Sequence, residues 1–212
     1  PTVPSDRPRP LLLYFHGGGW CFGSINSCSR FCAALALEAN YCVAALDYSL
    51  APASPFPAPL ADCRQAFAYL RATALSVPGV NSVIPIYPVT ELFTRRSHSW
   101  RKYGKGYGND AELLEAFNEA YAQGQQHHPL VSVGLSSDSA LQSLPPVLIL
   151  SAGHDILFDQ TAQLARRLQK LHHPLAYHVF PTATHLFITV PGQPTAFSEA
   201  VRIVASFLNE EH

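Results

Sequence analysis

The chain has 212 residues, 48% of them hydrophobic and 14% charged, with a formal net charge of -1 at pH 7. That length and apolar content suffice for one domain with a sizeable core. So small a net charge removes any electrostatic case for nucleic acid or an anionic membrane as partner, and no apolar run reaches the ~18 residues of a membrane helix.

Strand and helix signals alternate along the chain, the pattern of an α/β layered fold with a mostly parallel sheet. Leu11–Phe15 reads as a buried strand, Ser29–Ala39 as a helix behind a glycine turn, and Tyr41–Leu46 as a second strand. A helix follows over Ala58–Leu70, with Pro59 in its first turn and an apolar face at Leu60, Cys63, Phe67 and Leu70. Val83–Ile86 reads as a short third strand. The stretch 94–135 is polar and glycine-punctuated, with one clear helix at Ala111–Tyr121. It reads as an excursion over one edge of the sheet rather than a separate domain. The pattern then resumes with a strand at Val147–Ala152 and a helix at Phe158–Leu171, whose inner face carries Ala162, Ala165 and Leu168. A strand at Tyr177–Phe180 and a closing helix at Pro194–Leu208 complete it.

The first residues, PTVPSDRPRP, contain no signal-peptide apolar region and no initiator methionine, and methionine is absent throughout. A fragment or processed chain is expected. Cys21, Cys28, Cys32, Cys42 and Cys63 are odd in number and all lie in the first third. They do not build a disulfide framework, so a cytoplasmic location is the simpler expectation. Cys28 and Cys32 stand i,i+4 on a predicted helix, but no further ligands follow at suitable spacing. Buried thiols are expected there rather than zinc.

The chemistry begins at LLLYFHGGGWCFG, Leu11 to Gly23, where an apolar run stops at His16 and three glycines follow. Three glycines in a row cost backbone entropy, so bare backbone must be needed there. A strand, then Gly17, Gly18 and Gly19, then a helix sets several N–H groups at the carboxyl end of a parallel strand. Such donors can hold the negative oxygen of a tetrahedral acyl-transfer intermediate. A phosphate-binding turn is the alternative, but neither G-x-G-x-x-G nor a lysine-bearing P-loop is present.

HGGGW, DYSLAPASPFPAPLADCRQAFAYL, LPPVLILSAGHDILFDQ and HLFITVPGQP occur in this order and span most of the chain. Together they resemble the hormone-sensitive-lipase-like family of α/β-hydrolase esterases. The resemblance implies a single α/β-hydrolase domain over 1–212, incomplete at its N-terminus and around the nucleophile strand. It implies Asp155 as the acid that orients the histidine and His185 as general base, in the chain order Ser, Asp, His. Gly17, Gly18 and Gly19 would supply the oxyanion hole and His16 would hold that loop. Trp20 and Phe22 are candidates for the substrate pocket, with plain core as the other reading.

One part is missing. No G-x-S-x-G occurs anywhere in the chain, and the stretch from the Ala58–Leu70 helix to IYPVTELF has no room for a strand, an elbow and a helix. The nucleophile is therefore unknown. GLSSDSAL, Gly134 to Leu141, offers Asp138-Ser139-Ala140, but it lacks the elbow glycines and a preceding strand. Ser76 and Cys21 have still less support. With the central strand gone, Val83–Ile86 could slide toward the Leu11–Phe15 strand, or the slot stays open with two apolar edges that invite association. A homodimer is accordingly among the expected partners. The implied function is a carboxylic ester hydrolase acting on small uncharged esters of short to medium acyl chain, with no metal or organic cofactor. The alternative is a non-catalytic small-molecule binder or inactive relic that keeps the cleft.

Overall fold

The structure is a computed structural model and describes residues 9–73, 79–93 and 97–210. The described residues of Pro1–Gly79 and Ile188–Glu211 form one compact unit, and those of Val80–Phe187 form another.

In the first unit β1 (Leu11–Phe15) pairs in parallel with β2 (Cys42–Leu46), from Leu11 opposite Cys42 to Phe15 opposite Leu46. The connection is α1 (Ile25–Glu38), which begins four residues before the expected Ser29. The reason is its cap. Ser24 Oγ accepts from the Asn26 N–H, the Ser24 N–H donates to Ser27 Oγ at 3.1 Å, and the Ile25 N–H donates to Asp47 Oδ1 at 2.8 Å. A serine stands where a capping box usually carries Glu or Gln, so the start signal is atypical. Cys28, Phe31, Cys32 and Leu35 form the buried face of α1, which packs on α7 (Pro194–Asn209) with the Phe31 and Phe197 rings edge to face at 5.7 Å. Tyr41 Oη donates to the Leu208 carbonyl at 2.7 Å and ties the entry of β2 to the end of that helix.

Two expectations change here. β1 is half-buried rather than buried, with Phe15 43% exposed, because β2 is its single ladder partner among the described residues. The apolar face of α2 (Ala58–Thr73), at Leu60, Cys63, Phe67 and Leu70, is also only half-buried.

The five cysteines are free thiols. Burial pushes the Cys32 thiol from 9.0 to about 12, with the neighbouring Cys28 adding to the shift, and burial lifts Cys63 to about 11. Iodoacetamide at mildly alkaline pH should therefore modify the exposed Cys42 first, and Cys28 and Cys32 only after denaturation, as read by peptide mass mapping. The sign for stability follows from the same shift. The unfolded chain loses the Cys32 proton first, so this stabilisation is complete below about pH 9 and is lost as pH rises toward 12.

The second unit is built around β3 (Val147–His154), with β4 (Leu175–Thr184) parallel to it on one side. On the other side the expected Val83–Ile86 strand is two isolated parallel bridges, Val83 to Val147 and Ile86 to Leu150. Pro85 interrupts it by lacking an N–H, although its carbonyl still accepts from the Leu150 N–H at 3.0 Å. With neighbours on both edges, β3 is buried from Val147 to Ala152. α6 (Phe158–Lys170) covers one face through Ala162, Ala165 and Leu168, as its spacing predicts, and Leu141, Val147, Ile149, Ala165 and Leu168 form one core cluster.

The polar stretch holds more structure than its single expected helix. Besides α4 (Ala111–Ala122) it contains α3 (His98–Tyr103) and a 3-10 turn at Val133–Leu135. SHSWRKY offers only Trp100 and Tyr103, three residues apart, to mark a helix face. It forms a helix because Ser97 caps it and Trp100 joins Leu114, Ile156 and Leu157 in a second core cluster.

Candidate active site

β3 ends at His154, and the chain turns through Asp155 into α6. Asp155 is 1% exposed, a costly place for a carboxylate unless every lone pair is used. One oxygen accepts from the Leu157 N–H at 2.9 Å, and the other lies 2.7 Å from His185 Nδ1. The carboxylate therefore holds the proton on Nδ1, which leaves Nε2 as the basic nitrogen. Nε2 makes no hydrogen bond among the described residues. The sequence-expected partners Asp155 and His185 are thus brought together, in the geometry of an acid that orients a base.

The surroundings of His185 are tightly constrained. Tyr87 packs its ring 4.5 Å from the imidazole and is itself held edge-on by Phe187 at 5.2 Å. Tyr87 (φ 37°) and Leu186 (φ 66°) both adopt left-handed backbone conformations, which are uncommon for large side chains and cluster at functional sites. Gly108, also left-handed, lies so close that a Cβ there would stand 3.0 Å from the His185 carbonyl oxygen. The sequence reading missed Tyr87 and Gly108. Neither the IYP nor the GYGN segment carries a signal for where its backbone ends up.

In the first unit, the loop after β1 is a compact double turn. The Gly18 carbonyl accepts from the N–H groups of Cys21 and Phe22 at 3.1 and 3.0 Å. The N–H groups of Gly17, Gly18 and Gly19 donate to nothing among the described residues, so they are available for an anionic oxygen. His16 is buried and stacks on Tyr48 with ring centroids 4.3 Å apart. Tyr48 Oη donates to the His16 carbonyl at 2.6 Å, and His16 Nδ1 donates to the Gly17 carbonyl at 2.8 Å. His16 is engaged with its own loop. Trp20 takes a left-handed conformation with its carbonyl bound by the Ala51 N–H at 2.8 Å. Phe22 is 62% exposed, which removes the core reading for it.

The alternative nucleophiles fare as follows. Ser139 lies on α5 (Asp138–Gln142), exposed, 3.0 Å from Ser137 Oγ, on a short helix with no strand before it. Asp138 pairs with the Arg167 guanidinium, which also binds the Gly134 and Ser136 carbonyls, so this segment is strapped to α6. Burial raises the Cys21 thiol above its usual range, the reverse of an activated thiolate. Ser76 lies outside the described residues. No group of three or more His, Cys, Asp or Glu side chains suited to a metal occurs among the described residues.

A sequence profile of the α/β-hydrolase fold matches residues 12–84 and again 70–189. This chain belongs to the α/β-hydrolase-fold family. The chain is 31% identical to ethyl acetate hydrolase of Pseudomonas putida, over 98% of its own length and 76% of that protein. It is 28% identical to Lipase 2 of Moraxella sp. (strain TA144), over 89% of this chain and 58% of that protein's length. Carboxyl esterase 2 of the fungus Tuber melanosporum matches with a TM-score of 0.85 at 24% identity, covering 95% of this chain and 79% of that one, a likeness of fold. The resemblance to hormone-sensitive-lipase-like esterases and the expected fold class are therefore upheld.

The matches also locate the shortfall. The first profile match ends at residue 84 and the second begins at 70, so the break between them falls at 70–84. The alignment with the Pseudomonas putida protein runs over 248 positions against a chain of 212, so it must cross residues which that relative has and this chain lacks. This is the interval where the elbow was expected and not found.

Proposed function

We propose that the protein represented by this chain hydrolyses small carboxylic esters, with His185 as general base and Asp155 as its orienting acid. The observation that carries this reading is the 2.7 Å contact from Asp155 Oδ2 to His185 Nδ1, with the aspartate buried. In this scheme a serine hydroxyl attacks the ester carbonyl while Nε2 takes its proton. The amides of Gly17, Gly18 and Gly19 hold the oxyanion, the alcohol leaves with the proton returned by Nε2, and water then cleaves the acyl-enzyme. His16 supports the amide loop, and Trp20 and Phe22 contribute to the substrate pocket. The serine belongs to a segment absent between Leu70 and Ile84, so the 212 residues alone carry the base and the donors without the attacking group.

The same reading takes 1–212 as one α/β-hydrolase domain, with uncharged esters of short to medium acyl chain as substrates and a reducing, cytoplasmic setting, which five free thiols favour. The absence of G-x-S-x-G supports a second reading for the chain as written: a binder that holds small esters without turning them over.

One experiment separates the two. Intact mass of the source protein is measured with and without a fluorophosphonate, alongside hydrolysis of p-nitrophenyl acetate and butyrate. A mass above that of these 212 residues, with one label that disappears in His185→Ala, supports the esterase. A mass equal to this chain, with no label and no hydrolysis, overturns it and leaves the binder.

A further inference from the structure

The acid turn is held from outside by a residue the proposed mechanism does not use. Ser99, on α3, is 1% exposed. Its N–H donates to Asp159 Oδ2 at 2.8 Å, and its hydroxyl donates to the Ile156 carbonyl at 2.8 Å. The Asp159 N–H returns to Ser99 Oγ at 3.2 Å. One side chain and its amide thus close on both ends of the turn 156–159, directly after Asp155. Trp100, the next residue, packs with Ile156 and Leu157, so the polar clasp is backed by apolar burial. Farther along the same segment, Gly104 leaves no room for a side chain, since a Cβ there would stand 2.4 Å from the Trp100 carbonyl oxygen and 3.6 Å from Ile156 Cδ1. Gly108 then abuts the His185 backbone. The stretch 97–110 therefore touches the carriers of both the acid and the base.

We infer that Ser99 is a positioning residue, which together with Asp159 clasps the 156–159 turn and so fixes Asp155 at hydrogen-bonding distance from His185. This inference rests on the proposed roles of Asp155 and His185. The physical argument is one of tolerance. A hydrogen bond weakens steeply with misalignment, and Asp155 directly follows β3 and opens the turn 156–159, so the course of that turn sets the direction of its carboxylate. The Leu157 N–H fixes one carboxylate oxygen, and the Phe158 N–H closes the turn on the Asp155 carbonyl at 3.1 Å. Both bonds are internal to the turn, whereas the Ser99–Ile156 and Ser99–Asp159 bonds anchor it to α3.

The test is proton NMR of the full 212-residue chain, which requires no nucleophile. The Nδ1 proton shared with Asp155 should give a far-downfield resonance, assigned by its loss in His185→Gln. Ser99→Ala and Asp159→Ala should each lose that resonance to solvent exchange at a temperature where circular dichroism shows the variant folded. Asp159→Asn should keep it, because the amide oxygen still accepts from the Ser99 N–H. Asp159 is only half-buried, so its two variants report even where Ser99→Ala is too unstable to record. An unchanged resonance in Ser99→Ala or Asp159→Ala, or equal loss in Asp159→Asn, overturns the inference. A source protein without ester hydrolysis overturns the functional reading instead and leaves the resonance test intact.

Discussion

Gly153→Ala is expected to lower the melting temperature by about 3–10 °C, from about 1–3 kcal/mol of overpacking in a chain of this size. A Cβ at Gly153 would stand 2.3 Å from the Pro181 carbonyl oxygen, 2.8 Å from its carbon and 2.9 Å from its Cα. All three atoms are backbone of β4, so no side-chain tip can swing away. The pairing of β3 and β4 is also irregular here, between Ala152 and His154, and resumes with His154 opposite Thr184. The two strands thus deliver Asp155 and His185 as the next residues of each. Any separation of β3 from β4 at 153 acts on the 2.7 Å contact immediately beyond it. The variant should therefore lose the downfield His185 proton as well as stability, measured by NMR and thermal melting together. A stable variant with the resonance intact would show that the strands give way elsewhere.

The sequence made the alternation of elements legible because the apolar runs at Leu11, Val147 and Tyr177 are short, bounded and β-rich. Those strands formed, and β3 and β4 run past their expected ends to His154 and Thr184. They do so because ladder bonds continue beyond the apolar residues that advertise them. The helix at His98–Tyr103 was hidden because only Trp100 and Tyr103 mark its buried face, and two aromatic residues in one short polar segment are too few to establish a period. Val83–Ile86 misled for the opposite reason: its composition is that of a strand, and one proline breaks the ladder.

The site divides in the same way. Asp155 and His185 were reached through resemblance, since an isolated Asp in AGHDIL and an isolated His in ATHLF carry no pairing signal. Their 30-residue separation closes only because β3 and β4 are adjacent and parallel. Tyr87, Gly108, Ser99 and Asp159 were not legible. Each acts through where tertiary structure places its backbone, and no local pattern encodes that. The missing elbow, by contrast, was visible in the sequence alone, and the broken profile match at 70–84 agrees with it.

Gly18→Ala should be the most damaging change in the first unit. A Cβ on Gly18 would stand 2.0 Å from the Phe22 carbonyl oxygen and 2.6 Å from its carbon. Gly18 also has φ +127°, a region nearly closed to any other residue, which adds about 1–3 kcal/mol of backbone strain. Relief is blocked from the far side of the turn. Gly23, at φ +94°, already lies where a Cβ would meet the Gly17 carbonyl oxygen at 2.5 Å and His16 Nδ1 at 2.6 Å. The loop can accept alanine only by opening, and opening displaces the Gly17–Gly19 amides, the proposed oxyanion donors. In a protein with its nucleophile restored, the expected result is a fall in kcat of about 10²–10³-fold, the cost of losing an oxyanion donor, with KM little changed. Gly17→Ala is the matched control, because no atom lies within 4 Å of its Cβ and its N–H is retained. Equal losses in both variants would assign the glycines to chain flexibility. A loss confined to Gly18→Ala assigns them to the shape of the proposed donor loop, which must be set before the substrate arrives.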